Sequence, residues 1–277
     1  MAGERHWAEY TIEAALLGLF MVSACVCTVL VEHPDSYLHG AIGDPFARRA
    51  LIGVAMGLTA IALIHSPWGQ RSGAHFNPAV TLTFHRLGKV GTRDAVGYVA
   101  GQVLGGIAGV QLASILLGMR VAHPSVAYAV TVPGAAGSFA AFAAESAISF
   151  AQMSAVLVLS NGRFAPWTGV GAGILVATWI TFEAPLSGMS MNPARTLASA
   201  LAAGQWSGFW IYLAAPLVGM LAAAEVYARL RGLQRVYCAK LAHQNTTLAC
   251  IFRCNYGALA GVPCEAASAA QAARTTA

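Results

Sequence analysis

Six long stretches of this sequence are apolar and almost free of charge. Each is close to the roughly 20 residues that a helix needs to cross a hydrocarbon core about 30 Å thick. Only 10% of the residues are charged, against about 25% in a soluble domain. The alternating pattern of a transmembrane β-strand is absent, so the runs predict membrane-spanning helices. The predicted spans are residues 14–31, 50–64, 95–119, 138–159, 164–182 and 207–224.

Two short segments of the sequence repeat one another. Residues 72–82 and 187–197 both read Ser-Gly-x-x-x-Asn-Pro-Ala-x-Thr-Leu. Each follows the second span of a group of three, and three is an odd number. The second group therefore enters the membrane from the opposite face, and the two segments approach the midplane from opposite sides. This pattern predicts inverted repeats at about 10–118 and 137–230 within one domain, 10–230.

The repeated tripeptides predict the starts of two helices. Asn is a favoured N-cap and Pro a favoured first helical residue, which describes Asn77-Pro78-Ala79 and Asn192-Pro193-Ala194. The apolar run after each is about half a span long, so each predicts a half-helix that stops near the membrane centre. We expect the residues before each Asn to be extended and to line a water-filled cavity.

Two helix N-termini that meet at the midplane would place there about half a positive charge each. If each Asn oxygen caps its own helix, the amide donors of Asn77 and Asn192 are expected to face the lumen. A water molecule that accepts hydrogen bonds from both amides cannot also accept one from the next water, so the chain of hydrogen bonds that would carry a proton is interrupted. The positive helix ends also repel cations. The predicted backbone acceptors beside them are the carbonyls of Gly73, Ala74, His75 and Phe76 and of Gly188, Met189, Ser190 and Met191.

These motifs, with Glu13 and Glu145 near the start of each half, resemble the major intrinsic protein family of aquaporins and aquaglyceroporins, in a bacterial-like member. The resemblance covers roughly residues 8–230. It implies an all-α membrane protein, the aquaporin fold, with six transmembrane helices plus two re-entrant half-helices in an inverted repeat. It also implies one pore per subunit, a homotetramer in the cell membrane, and glutamates that hold loop amides so that carbonyls face the pore.

The resemblance further implies a narrow constriction near one end of the pore. Arg195 matches the arginine of that constriction; at membrane depth an arginine marks a functional site, and its donors can hold a solute oxygen while its charge repels cations. Ile180 and Met189 fall at two further positions, and either Met56 or Gly57 falls at the fourth. Water channels usually carry His where Ile180 stands, so this set predicts passage of small uncharged solutes as well as water.

The chain has a net charge of +5, and its basic residues cluster in the loops between the apolar runs. Under the positive-inside rule these loops predict that both termini, 1–9 and 231–277, are cytoplasmic. Basic residues are not interleaved with exposed aromatics, so no nucleic-acid partner is expected. The tail carries Cys238, His243, Cys250 and Cys254, which could bind zinc or could remain reduced thiols. No other cofactor is expected, and residues 266–277 are predicted to be disordered.

Three kinds of protein fit this sequence to different degrees: a passive channel, a coupled transporter and a junctional membrane protein. A passive channel for water, with small uncharged solutes, fits best. A channel mainly for glycerol or another neutral solute is the nearest alternative, although glycerol facilitators usually carry Asp where this chain has Thr196. A coupled transporter also uses broken helices, but no acidic residue or lysine accompanies the two motifs. A junctional membrane protein is the third possibility; no nucleophile–base pair indicates an enzyme.

Overall fold

The computed structural model describes residues 6–243 and 250–257, and every regular element in these ranges is helical. Six of these helices are long and apolar enough to cross a membrane, which confirms the predicted number of spans. The first five residues of segment 1–9 and the predicted disorder at 266–277 lie outside the described ranges. Spans 1 to 6 are Trp7–Glu32, Pro45–His65, Thr92–Leu117, Gly137–Ser160, Thr168–Phe182 and Phe209–Arg231.

Two shorter helices begin at the repeated motifs. Half-helix A is Pro78–Arg86 and half-helix B is Pro193–Ala203. The Asn77 side chain accepts a hydrogen bond from the Ala79 amide at 2.8 Å, which satisfies one of the free donors at the helix start. Asn192 accepts from the amides of Ala194 and Arg195 at 3.1 and 3.2 Å. The predicted re-entrant half-helices are therefore present.

Glycines bring the spans into close contact. A Cβ atom on Gly105 of span 3 would lie 2.0 Å from the carbonyl oxygen of Ala14 in span 1. In the second half, a Cβ on Gly219 of span 6 would lie 2.2 Å from the Ser146 carbonyl of span 4. Only glycine permits backbones to approach this closely. Spans 1 and 3 thus pair as spans 4 and 6 do, so the two repeats pack in the same way.

The chain after span 6 turns back onto the helical bundle. Val236, Ala239, Lys240, Leu241 and Ala242 are all buried. The Tyr237 amide donates to the Asn161 side chain at 2.7 Å, which ties the segment to the connection between spans 4 and 5. The described part of the tail, 232–243 and 250–257, is therefore packed against the spans at the end where half-helix A enters.

Candidate pore and its re-entrant loops

The backbone before each Asn is not extended, so that prediction is wrong. Three residues in each loop have φ in the left-handed region. Because residues of positive and negative φ follow one another, successive backbone amides point toward one place. Such an arrangement is a backbone nest, which binds anions. Non-glycine residues in this conformation cost on the order of 1 kcal/mol or more each, so something must stabilise them. The residues with positive φ are Gly73, Ala74 and Phe76, and Gly188, Met189 and Met191.

Glu13 of span 1 occupies the first nest. One carboxylate oxygen accepts from the Ser72 hydroxyl at 2.7 Å and the His75 amide at 3.1 Å. The other accepts from the Phe76 amide at 2.6 Å and the Gln102 side chain at 2.8 Å. Glu13 is completely buried, where an unpartnered carboxylate would be very costly. Four donors offset that cost and hold the strained loop.

Glu145 of span 4 does the same in the second half. It accepts from the Ser187 hydroxyl at 2.8 Å and the Ser190 amide at 2.6 Å. Its other oxygen accepts from the Met191 amide at 2.8 Å. The structure thus places both glutamates against loop amides. Because these amides point to the glutamates, the carbonyls of Phe76 and Met191 are left to accept hydrogen bonds from the opposite loop.

Sequence reasoning missed two tyrosines that support the loops. Tyr98 of span 3 donates to the Ser72 carbonyl at 2.6 Å, and Tyr212 of span 6 donates to the Ser187 carbonyl. Both tyrosines are buried. They stand at matching places in the two repeats, as Ser72 and Ser187 do. Their spacing from the serines differs by one residue, 26 against 25, so an alignment of the two halves of the sequence needs a gap of one residue to match them.

The two loops are joined at their tips by the motif asparagines. Asn77 donates its side-chain amide to the Met191 carbonyl at 2.7 Å, and Asn192 donates to the Phe76 carbonyl at 2.8 Å. An amide NH₂ has two donors, so one donor of each asparagine remains. The prediction that the amide donors face the lumen is therefore wrong for one hydrogen of each asparagine, and for the other hydrogen it stays a prediction. The carbonyls of Phe76 and Met191 each use one lone pair on the opposite loop.

A cavity of about 320 Å³ lies between the spans and the loops. It brings together most residues predicted for the pore. Gly73, Ala74, Pro78, Ala79, Pro193 and Ala194 do not line it, nor do Glu13 and Glu145. Its predicted lining residues are Met56, His75, Phe76, Asn77, Ile180, Gly188, Met189, Ser190, Met191, Asn192 and Arg195.

The structure separates the two candidates for the second-span position. Met56 lines the cavity. Gly57 instead faces span 5, since a Cβ atom there would lie 2.5 Å from the Gly173 carbonyl. Gly57 is therefore a packing glycine, and Met56 is the residue that the cavity presents.

Arg195 is the cationic residue beside the second loop. Its backbone amide donates to the Asn192 side chain. Its Nη1 atom is buried and has no hydrogen-bond partner within the described part of the chain. Arg49 of span 2 also lines the cavity but donates to the Thr181 carbonyl at 2.8 Å. Arg195 also lines the cavity, which makes it a candidate to act on the contents of the cavity.

The sequence profile described as Major intrinsic protein matches residues 5–227. This chain belongs to the major intrinsic protein family. It is 34% identical over 229 residues to Aquaporin NIP1-2 of Oryza sativa subsp. japonica, covering 79% of this chain and 71% of that protein. It is 38% identical over 196 residues to Aquaporin NIP3-1 of Zea mays, covering 70% and 62%. Both relatives are from plants, so the bacterial-like character stays a prediction.

A solved structure of similar fold is the aquaglyceroporin from Plasmodium falciparum. The match has a TM-score of 0.67, covers 80% of this chain and 96% of the other, and has 19% sequence identity. At that identity the likeness concerns the fold, which is the aquaporin fold. With its six membrane-length helices, this major intrinsic protein is a multi-pass membrane protein.

In this major intrinsic protein the tail covers one end of the cavity, which sequence reasoning did not anticipate. The Leu241 amide donates to the Gly73 carbonyl at 3.0 Å, so this predicted pore acceptor is already used. The Ala239 carbonyl lies 2.8 Å from Nε2 of His75. Phe252 stacks on the His75 ring, with centroids 5.5 Å apart. The Leu241 side chain lines the cavity itself.

The predicted metal ligands of the tail lie together. The ligand atoms of Cys238, His243, Cys250 and Cys254 are all within 4.8 Å of one another. Burial raises the pKa of the Cys238 thiol well above its ordinary value. Hydrogen bonds from the Cys238 and Cys250 thiols lower the pKa of Cys254. Burial also lowers the pKa of Lys89, whose ammonium donates to the Arg253 carbonyl at 3.3 Å.

Proposed function

We propose that this chain is a passive channel for water and small uncharged solutes. The observation that carries the proposal is the meeting of the two half-helices, whose N-cap residues Asn77 and Asn192 bond to each other's loops beside one cavity. Two positive helix ends and the remaining amide donors then act on whatever passes between them. The names of the plant relatives, which are aquaporins, support the same function.

Exclusion of protons and ions follows from the donors at the centre and at the constriction. Water oriented by Asn77 and Asn192 cannot pass a proton along the file, and a cation meets two positive dipoles. Arg195 adds a full positive charge and the unpartnered Nη1 donor. Among the described residues that line the cavity there is no Asp, Glu or Lys, which disfavours a coupled transporter.

The constriction we propose is less polar than that of a strict water channel. Met56, Ile180 and Met189 all line the cavity and offer apolar surface, while Arg195 supplies donors. Such a site accepts a small neutral molecule whose oxygen faces Arg195.

A channel mainly for glycerol or another neutral solute is the second candidate function, and the apolar side chain of Ile180 favours it. Thr196 does not line the cavity, because its hydroxyl is bonded to Thr131 at 2.9 Å and Ser190 at 2.5 Å.

The surrounding membrane completes the proposal. Large apolar side chains on the spans are exposed, among them Leu104 at 67% and Ile115 at 79%, and they would face lipid or other subunits. We propose a homotetramer in the cell membrane with both termini cytoplasmic. Conduction as proposed needs no cofactor and no enzymatic step.

Stopped-flow light scattering on proteoliposomes tests this function. We expect faster osmotic shrinkage than in empty liposomes, uptake of glycerol or urea, and no ion current across a planar bilayer. Because the tail covers one end of the cavity, the Leu241→Gly variant is measured beside the full native chain. If neither protein shrinks vesicles faster than the empty control nor admits solute, the channel proposal is wrong.

A further inference from the structure

The four tail side chains bring their ligand atoms within 4.8 Å of one another, close to the separations found around one bound metal ion. Cys238 Sγ lies 3.5 Å from Cys250 Sγ, and His243 Nε2 lies 3.2 Å from Cys254 Sγ. A zinc ion with bonds of about 2.3 Å to sulfur and about 2.0 Å to nitrogen keeps its ligands roughly 3.5 to 3.8 Å apart. Three thiols and one imidazole are a ligand set typical of structural zinc.

The surroundings offset the charge that such a site would carry. Zinc with three thiolates and a neutral imidazole has a net charge of −1, which is costly away from water. Lys240 is 2% exposed, and its ammonium has no hydrogen-bond partner within the ranges 6–243 and 250–257. Lys89 is also buried, and both lysines are close enough to act electrostatically on the cysteines. Two buried cations beside three thiols favour an anionic metal cluster.

The metal ligands and the covered end of the cavity belong to the same stretch of chain. Cys238 and His243 enclose residues 239–242, which we call the plug. Within the plug, the Ala239 carbonyl accepts a hydrogen bond from His75 Nε2, and the Leu241 amide donates to the Gly73 carbonyl. The Leu241 side chain is 5% exposed and lines the cavity. Ligation of Cys238 and His243 to one ion would therefore clamp both ends of the plug.

The second pair of ligands anchors the cluster to half-helix A. The Arg253 amide donates to the Lys89 carbonyl at 3.0 Å, just after the end of that helix. Phe252, between Cys250 and Cys254, stacks on His75. A metal that bridges both ligand pairs thus joins the plug to the channel wall at two places.

We propose that Cys238, His243, Cys250 and Cys254 bind one zinc ion, which holds residues 239–242 in the mouth of the channel and closes it. Loss of zinc frees the plug and opens the channel. The metal site rests on the ligand geometry and the buried lysines beside it, whereas its effect on flux rests on the proposed channel function. Because ligands must converge for binding, metal affinity is coupled to the folded position of the tail.

The first experiment measures the metal without reference to transport. The full chain, purified without a histidine tag or added metal, is assayed for zinc by mass spectrometry of digested protein. We expect one zinc per chain, lost in the double variant Cys250→Ser/Cys254→Ser. Cys27→Ser is the matched control, since Cys27 lies in span 1, away from the tail, and it should retain one zinc. Less than a tenth of one zinc in the native chain, even after zinc is supplied and excess removed, overturns the site.

The second experiment follows the plug itself. The amide hydrogen of Leu241 should exchange slowly with zinc bound, because it is bonded to Gly73. Exchange of this peptide should become at least about tenfold faster after chelation or in the double variant, as expected when local opening becomes easy. Unchanged exchange after proven zinc loss overturns the claim that zinc holds the plug.

The third experiment links the plug to flux. In proteoliposomes containing the native chain, chelation should raise water permeability roughly fivefold or more, since the closed population falls as the metal leaves. Added zinc should reverse the rise. The Cys27→Ser channel should respond like the native chain, and the Leu241→Gly channel should be open with and without zinc.

A native channel that conducts equally with and without zinc would show that zinc does not close the channel. Absence of flux in every variant, with zinc content and exchange as expected, instead overturns the proposed channel function. If the native chain holds no zinc but its flux changes on oxidation, the proposed zinc site is wrong and a thiol switch is supported instead.

Discussion

The two re-entrant loops share one backbone design but differ in what they present. Each has a left-handed nest around a buried glutamate, an asparagine cap and a supporting tyrosine. The residue after Asn-Pro-Ala, however, is Val80 in the first loop and Arg195 in the second. The repeat therefore builds a symmetric frame, while the side chains at matching positions, Val80 and Arg195 above all, make the two ends of the pore chemically different.

The segments that cover the loops also differ. The second loop is covered by the connection between spans 3 and 4, where the Gly134 amide donates to the Leu186 carbonyl at 2.9 Å and Thr131 bonds to Thr196. The first loop is covered by the tail, through Gly73 and His75. The connection runs between two spans, whereas the described tail follows span 6 and, under the zinc proposal, is held in place by its metal ligands. The proposed control therefore lies at the first loop.

Loss of either buried glutamate is the strongest test of the shared frame. All partners of Glu13 and Glu145 donate hydrogen bonds, so the NH₂ group of a glutamine would face other donors. We expect Glu13→Gln and Glu145→Gln each to lower the free energy of unfolding by about 3 kcal/mol. Denaturant unfolding in detergent measures this.

Glu225→Gln is the matched control for both variants. Glu225 is paired with Arg86 at 2.6 Å on a partly exposed surface, where such pairs contribute about 1 kcal/mol or less. Strong destabilisation by one glutamate variant but not the other would contradict the symmetry of the two nests.

The difference at the position after the motif is tested by giving the second loop the residue of the first. Arg195→Val should remove the free donor and the positive charge. We expect urea permeability relative to water to rise about tenfold, which corresponds to about 1.4 kcal/mol, together with a measurable proton leak. Val80→Ile is the control in the first loop. Equal solute-to-water ratios in native and Arg195→Val channels would remove Arg195 from the constriction.

The apolar side of the constriction is tested at Ile180. Ile180→His adds a hydrogen-bonding group to the cavity wall and should favour water over glycerol roughly threefold, since one polar contact contributes on the order of 1 kcal/mol. The ratio of osmotic to glycerol permeability is the measurement, with Ile180→Val as the apolar control. An unchanged ratio would refute the assignment of Ile180.

The smallest expected effects concern the supporting tyrosines. Tyr98→Phe and Tyr212→Phe each remove one hydrogen bond to a serine carbonyl. We expect each to reduce the free energy of unfolding by about 1 kcal/mol, and the double variant to show nearly additive losses because the two tyrosines share no hydrogen-bond partner. Thermal unfolding of single and double variants checks this; strong non-additivity would show that the two frames are coupled through the loop tips.

Prediction from sequence succeeded where a local physical rule decides the outcome. Lipid requires that backbone groups bond within their own segment, so six apolar runs became six spans. Asn-Pro determines a helix start through a cap and a preset φ, so the half-helices began at Pro78 and Pro193. The prediction of extended loops failed, because four non-glycine residues adopt left-handed φ, and the buried glutamates on distant spans stabilise that conformation.

The choice between Met56 and Gly57 shows the limit of such rules. Adjacent residues on a helix are about 100° apart, and a count from the motif that is uncertain by one residue cannot tell which of them faces the pore. Contact of Gly57 with span 5 decided it. The docking of Leu241 on Gly73 was equally beyond sequence reasoning, since these residues are far apart in the chain and their bond has no local signature.

By itself, the sequence determined the spans, the half-helices and their opposite entry, because these follow from hydrophobic length, helix capping and an odd number of crossings. The tertiary structure alone decided which carbonyls remain open, which wall residue faces the cavity and what covers each end. Those outcomes depend on contacts between distant segments, and contacts of that kind are selected by packing and by the pairing of buried polar groups rather than by any nearby residue.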